Sequence, residues 1–65
     1  MYKSRLKIVR EYKGLSRSQL SEKSGINYRS IEAYEQGLKD INNASVKTVL
    51  ALSKALECDL FDIIG

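Results

Sequence analysis

Apolar residues recur every three or four positions along most of the chain, which is the period of an α-helix. The sequence has no proline, and three of its four glycines, Gly14, Gly25 and Gly37, separate segments of the length of a short helix. Glycine commonly follows the last residue of a helix, because it adopts the left-handed backbone conformation without a steric cost. The pattern therefore predicts an all-α chain.

Five helices are predicted, the last of them short. In chain order they cover residues 3–12, 17–24, 28–36, 44 or 46 to 57, and 60–64. Ser16 and Gln19 have the spacing of a capping box, Asn27 is a good N-cap, and Asn43 or Ser45 caps the fourth helix. The fourth helix has a broad apolar side made of Val46, Val49, Leu50, Leu52, Ala55 and Leu56.

Only Gly25, Ile26 and Asn27 separate the second and third predicted helices. The two helices must fold back steeply around a buried Ile26, which is the arrangement of a helix-turn-helix. An unspecialised bend in a small bundle would need the same turn residues. The third helix favours the helix-turn-helix because its faces differ: one carries Ile31, Tyr34 and Glu35, and the opposite one carries Tyr28, Arg29, Glu32, Ala33 and Gln36.

The inward position of Glu35 predicts a salt bridge. An unpaired buried carboxylate is costly, so Glu35 needs a cation, and Arg10 lies at the margin of the packed side of the first helix. A guanidinium can donate two hydrogen bonds to one carboxylate and would fix the third helix against the first. The alternative is two solvated charges that never meet.

Charge is distributed unevenly along the chain. Residues 1–39 hold nine basic and four acidic side chains, a net charge of +5, whereas residues 40–65 carry a net charge of −2. Such an asymmetry indicates that the first part meets a polyanion and the second part faces away from it. Ordinary surface charge would explain the same numbers.

Length and composition exclude most catalytic classes. With 65 residues the chain is expected to form one domain, residues 1–65, too small for an enzyme cleft of ordinary depth. It has no histidine and a single cysteine, Cys58, so a Cys/His zinc cluster, an internal disulfide and a Ser-His or Cys-His pair are excluded. We expect no catalytic residue, no metal and no cofactor, and an inert Cys58 thiol. The short apolar runs predict a cytoplasmic protein without a membrane span.

These motifs together resemble the Cro/CI-type helix-turn-helix family, also called the XRE family, which includes the lambdoid phage repressors. The resemblance covers residues 6–60 and rests on GLS before the second helix, SGIN at the turn, YEQG at the end of the third helix, and SKAL in the fourth. It implies a compact five-helix DNA-binding domain of the lambda-repressor type, with the third helix in the major groove of double-stranded DNA and a core Arg10–Glu35 pair. The sequence departs from the family pattern at Arg17, where glutamine is usual, and at Ser21 and Ser53, where alanine is frequent.

In a helix-turn-helix the amino end of the second helix of the motif contacts base edges, and backbone contacts set its register. The expected base-contacting residues are Tyr28, Arg29, Glu32 and Ala33, and the expected phosphate-contacting residues are Arg17, Asn27, Gln36, Lys39, Asn42 and Asn43. Two of these have alternatives, since Glu32 can instead pair with Arg29 and Tyr28 can instead pack against the second helix.

One module of this size buries only about 600 to 1,000 Å² on DNA, so we expect a homodimer. The candidate interface is the region of the fourth and fifth helices with Leu60, Phe61, Ile63 and Ile64, although at least two of these four are expected to close the core. A second patch consists of Ile8 and Tyr12. The leading hypothesis is a sequence-specific transcriptional repressor on an inverted-repeat operator. The alternative is an antitoxin or adaptor that uses the same scaffold to bind a protein partner.

Overall fold

The computed structural model describes residues 4–64 and folds them into four α-helices and two 3₁₀ turns. The helices are α1 (Arg5–Tyr12), α2 (Arg17–Ser24), α3 (Tyr28–Gln36) and α4 (Val46–Leu56), with 3₁₀ turns at Ile41–Asn43 and Leu60–Asp62. Within this described part of the chain there is no strand, and none of its helices has the length and apolar character that a membrane span needs.

Side-chain caps begin the helices close to the predicted positions. Ser16 and Gln19 form the predicted capping box, in which each side chain accepts a hydrogen bond from the other residue's backbone N–H. The Asn27 side chain accepts from the backbone N–H of Arg29, and Ser45, one of two predicted candidates, caps α4. The first helix begins at Arg5 with Ser4 as its cap; its predicted start at Lys3 lies outside the described residues.

The predicted fifth helix is not confirmed as an α-helix: at its place the chain forms a single 3₁₀ turn, Leu60–Asp62. The Asp59 side chain accepts from the N–H of Phe61, and the Asp62 side chain accepts from the N–H of Asp59. These reciprocal caps close a turn that is only three residues long. The first turn of an α-helix fixes several backbone dihedral angles for a single hydrogen bond, so its formation is unfavourable. A segment this short therefore is not stabilised by α-helical geometry.

The core contains one or more residues from every α-helix. Its buried apolar side chains are Leu6, Leu20, Ile31, Val49, Leu52, Leu56 and Ile63. Val46 and Leu50 were assigned to the packed side of α4, but Val46 is 72% exposed and Leu50 37% exposed. The apolar stripe of this helix is wider than the area that its neighbours cover, so its edge stays in solvent.

The predicted salt bridge between Arg10 and Glu35 is present and buried. Arg10 Nε lies 2.6 Å from Glu35 Oε2, and Arg10 Nη2 donates to Oε1 at 3.1 Å. The third nitrogen, Nη1, donates to the carbonyl oxygen of Leu15 at 2.8 Å. A single guanidinium therefore joins α1 to α3 and also holds the loop that leads into α2.

Helix α4 ends at a non-glycine residue in the left-handed conformation. Glu57 has φ 54° and ψ 45°, while its N–H still bonds to the carbonyl oxygen of Lys54. A side chain in this region brings its Cβ close to a carbonyl oxygen and costs about 1 to 2 kcal/mol. The α4 C-terminus therefore carries local strain that α2 and α3 avoid by ending at Gly25 and Gly37.

Replacing Arg10 by Met should destabilise the fold, because Glu35 would keep only part of its compensation. We expect the free energy of unfolding to fall by about 3 kcal/mol, at the low end for a broken buried pair. Urea denaturation followed by circular dichroism measures this change. Arg5→Met removes an exposed arginine of the same helix and should leave stability nearly unchanged. Equal stability of the two variants would contradict a buried ion pair.

Replacing Glu57 by Gly should stabilise the protein, because glycine adopts the αL conformation without strain. Glycine also loses more conformational entropy on folding, which offsets part of this stabilisation. We expect the free energy of unfolding, measured by thermal denaturation, to rise by about 0.5 to 1 kcal/mol. Glu57→Ala is the matched control, since alanine also has a Cβ and should give no comparable gain. A similar gain in both variants would show that the glutamate side chain, and not the backbone, is unfavourable.

Candidate nucleic-acid interface

The turn between α2 and α3 is closed by short hydrogen bonds. Ser21 Oγ donates to the carbonyl oxygen of Ile26 at 2.6 Å, and the backbone N–H of Ile26 donates to Ser24 Oγ at 3.1 Å. The Ile26 side chain packs against the core, as the sequence predicted. Ser21, a departure from the family pattern, thus uses its hydroxyl to fix the angle between the two helices.

Helix α3 has one buried face and one open face. Ile31 and Glu35 are buried, at 0% and 2% exposure. Tyr28, Arg29 and Gln36 are exposed, and Glu32 and Ala33 are half-buried. The four predicted base-contacting residues therefore share one side of the helix, where Tyr28, 41% exposed, and Arg29 are uncovered and Glu32 and Ala33 are partly covered.

Arg17 is not a free cation in this structure. Its Nε lies 2.8 Å from Glu35 Oε1, and its Nη1 lies 3.5 Å from Glu32 Oε2. Sequence reasoning assigned only Arg10 to Glu35, and it considered Arg29 as the ion-pair partner of Glu32. In the structure the ion pair of Glu32 is with Arg17 at the start of α2. Two arginines therefore share the buried carboxylate, and one of them also reaches the open face of α3.

These contacts set the protonation of the site. Burial raises the pKa of the Glu35 carboxyl, but the hydrogen bonds from Arg10 and Arg17 outweigh burial and bring that pKa below its usual range. The hydrogen bond to Glu35 raises the pKa of the Arg17 guanidinium, and the nearby Tyr28 side chain raises it further. The Glu35 carboxylate is therefore ionised and the Arg17 guanidinium is charged when the protein is folded near neutral pH.

The predicted phosphate-contacting residues after α3 are exposed. Gln36 ends the helix, and the Lys39 ammonium lies 6.0 Å from the centre of the Tyr34 ring. Asn42 and Asn43 belong to the first 3₁₀ turn, where Asp40 accepts hydrogen bonds from the Asn42 N–H and the Asn43 side chain. The Asp40 carboxylate puts a negative charge beside the two asparagines, a feature that the sequence analysis did not consider.

Asn27 lies at the junction of the turn and α3. Its side-chain oxygen is 2.8 Å from the backbone nitrogen of Arg29 and completes the helix cap. In this structure the side chain of Asn27 therefore positions the first turn of α3, which carries Tyr28 and Arg29.

Cys58 is half-buried, and burial raises the pKa of its thiol, which keeps it protonated near neutral pH.

A second exposed surface surrounds the amino end of α4 and the last 3₁₀ turn. Here a groove of about 150 Å³ is lined almost entirely by apolar side chains: Ile41, Asn42, Ala44, Val46, Val49, Leu60 and Ile64. Phe61, next in sequence to the lining residue Leu60, is 70% exposed. Ile63 is 1% exposed and closes the core, and Leu60 and Ile64 pack partly buried against it, as predicted for at least two of the four residues. On α1, Ile8 is 48% and Tyr12 85% exposed.

Comparison with known proteins agrees with this geometry. A family model described as helix-turn-helix matches residues 6–63. Among solved structures, the chain is similar to the restriction-modification controller protein C.AhdI from Aeromonas hydrophila, with 31% sequence identity and a TM-score of 0.79. The match covers 89% of this chain and 83% of the controller protein. A search of curated proteins finds no significant match.

The family match extends over most of the chain, and the solved structure that resembles it is a controller protein. Both comparisons indicate a DNA-binding regulator. The chain therefore belongs to the Cro/CI-type, or XRE, family of helix-turn-helix DNA-binding transcription regulators.

Proposed function

We propose that this protein is a sequence-specific repressor that binds an inverted-repeat operator as a homodimer, with α3 in the major groove. The observation that carries the proposal is the amino-terminal half of α3, which leaves Tyr28 and Arg29 exposed while Ile31 and Glu35 anchor the other side of the helix. A rigid helix with an uncovered polar edge can enter a groove that is about 12 Å wide. A dimer that occupies an operator excludes polymerase from that site.

Base recognition is assigned to the exposed edge of α3. Arg29 can donate two hydrogen bonds to the O6 and N7 atoms of one guanine, worth about 1 to 3 kcal/mol of discrimination. Tyr28 can contact a thymine methyl group or a phosphate. One turn further on, Glu32 can accept from a cytosine amine and Ala33 can contact a thymine methyl group. Of these four residues, Tyr28 and Arg29 are exposed and Glu32 and Ala33 are half-buried on the same side of the helix.

Phosphate contacts are assigned to residues on either side of that edge. Arg17 and Asn27 precede α3 or begin it, and Gln36, Lys39, Asn42 and Asn43 follow its last turn. These contacts supply affinity and register without sequence information. The Asp40 carboxylate lies beside Asn42 and Asn43 and repels phosphates. Lys39 is exposed and positively charged, so it is expected to add more to DNA affinity than the two asparagines.

The homodimer is assigned to the apolar surface around the groove of α4 and the last 3₁₀ turn. Val46 lines this groove and is exposed, and the exposed residues Phe61 and Leu50 are next in sequence to the lining residues Leu60 and Val49. A two-fold interface uses the same patch on both subunits, so an exposed aromatic residue and an apolar groove on one surface suit a second copy of the chain. Residues 40–65 carry a net charge of −2, which places this surface among the parts of the chain least attracted to DNA.

Selection from random duplex DNA should enrich an inverted repeat whose half-sites are about one helical turn, 10 to 10.5 base pairs, apart. If each subunit neutralises about three or four phosphates, log K should fall with log salt with a slope of roughly −5 to −7. Arg29→Ala should abolish the preference at one base pair of each half-site. Lys39→Ala should weaken binding to all sequences alike and make the salt slope shallower by about 0.9 for each phosphate contact that is lost.

Three results would reject this assignment. A flat salt response would exclude phosphate contacts, and equal losses on every sequence for both variants would contradict the division between Arg29 and Lys39. Failure to enrich any sequence would favour the alternative of an antitoxin or adaptor. The exposed Phe61 and its apolar surroundings are the feature that such a protein partner would bind.

Replacing Phe61 by Glu should convert the dimer into monomers, because two carboxylates would enter the apolar interface and lose their hydration. Sedimentation equilibrium measures the change, and DNA affinity should fall with it. Leu38→Glu is the matched control for self-association, since Leu38 is similarly exposed, at 76%, and is not next in sequence to a residue that lines the groove. Dimerisation of the Phe61 variant at wild-type strength would place the interface elsewhere, with Ile8 and Tyr12 as the next candidates.

A further inference from the structure

Of the two contacts that Arg17 makes, the one with Glu32 adds little to the stability of the fold. Glu35 already accepts two hydrogen bonds from Arg10, which compensate the buried carboxylate. With Arg17 added, Arg10 and Glu35 form a group with one positive charge in excess, which the Glu32 carboxylate balances. The ion pair of Arg17 with Glu32 is long and partly exposed, with 23% and 39% of the two side chains accessible. Ion pairs of that kind contribute little to stability. The contact of Arg17 with Glu32 therefore calls for an explanation other than stability.

The arrangement orients a carboxylate on the open face of α3. The Arg17 Nε is held at 2.8 Å by Glu35, which Arg10 in turn holds from α1. Because a guanidinium is planar and rigid, fixing Nε limits where Nη1 can lie, and Nη1 is the atom that reaches Glu32. A continuous chain of charges thus runs from α1 through the core to the edge of α3 that faces outward.

The charge on Glu32 is a problem for a surface that approaches DNA. An unpaired carboxylate there would be repelled by phosphates and by the acceptor atoms of most base edges. A guanidinium beside it neutralises the repulsion and fixes the direction in which the carboxylate oxygens point. Tyr28, one turn before Glu32, lies close enough to Arg17 to affect the guanidinium as well.

We propose that Arg17 is a positioning residue for base recognition: held by Glu35, it neutralises and orients Glu32 on the DNA-facing edge of α3. This inference rests on the proposed function and adds a specificity role to the phosphate contact of Arg17. Its consequence is that the effects of Arg17 and Glu32 on DNA binding are coupled. A simple phosphate contact would act independently of Glu32.

A double-mutant cycle tests the coupling on the operator selected by the wild-type protein. Dissociation constants are measured at one salt concentration for the wild type, Arg17→Gln, Glu32→Gln and the double variant. We expect the loss caused by Arg17→Gln to be about fivefold smaller when Glu32 is already glutamine, because no carboxylate is then left uncompensated. Lys39→Gln combined with Glu32→Gln is the matched control, and its two effects should be additive.

A second variant separates position from charge. Arg17→Lys keeps a cation for phosphate but lacks the planar fork that contacts Glu35 and Glu32 together. Repeating the selection with this variant should change the preference at the base pair beside Glu32 while most of the salt slope is retained. Arg17→Lys also keeps a charge near Glu35, so the test remains available if Arg17→Gln does not fold.

The possible results are distinguishable. Additive losses for Arg17→Gln and Glu32→Gln, together with an unchanged base preference in Arg17→Lys, would overturn the positioning role and leave a plain phosphate contact. That result would not affect the proposed function, because the wild-type operator and its salt dependence would stand. A wild-type protein that selects no sequence would overturn the proposed function and this inference with it.

Discussion

The buried carboxylate of Glu35 is the point on which the geometry of this molecule depends. It lies in α3, at 2% exposure, and receives hydrogen bonds from α1 through Arg10 and from α2 through Arg17. An ionised group in the core is tolerated only when its hydrogen bonds are made, so the three helices cannot shift relative to one another without leaving that charge uncompensated. A core held only by apolar contacts would allow small sliding movements. The ion-pair cluster gives α3 one orientation, as a recognition helix needs.

Local side-chain hydrogen bonds also fix the position of α3. The Ser21 hydroxyl holds the Ile26 carbonyl, and the Asn27 side chain caps the first turn of α3. Together they set both the angle and the starting residue of the helix that carries Tyr28 and Arg29. Serine at position 21 therefore preserves the tight turn by a hydrogen bond, and Ser53, 4% exposed, donates to the Leu50 carbonyl in a similar way.

The basic part of the sequence, residues 1–39, and the acidic part, residues 40–65, contribute to two different surfaces. The exposed polar edge of α3 lies in the part of the sequence with net charge +5, whereas the apolar groove beside Phe61 is lined by residues from the part with net charge −2. Attraction to a polyanion and association through apolar contacts can thus use mostly different residues of one small domain, with Asn42 the residue assigned to phosphate that also lines the groove. The exposed edge of α4 at Val46 and Leu50 is consistent with this separation.

The sequence by itself determined the helices, the turn and the main ion pair, because these depend on local or strongly constrained chemistry. Helix bounds follow from caps such as Ser16, Asn27 and Gly37, and the inward face of α3 made a cation for Glu35 necessary. Tertiary structure decided what local chemistry leaves open. It gave Glu35 a second arginine, kept Ile63 in the core and Phe61 out of it, and made the last segment a 3₁₀ turn. Such contacts depend on the relative placement of residues far apart in the chain, and neither periodicity nor capping encodes that placement.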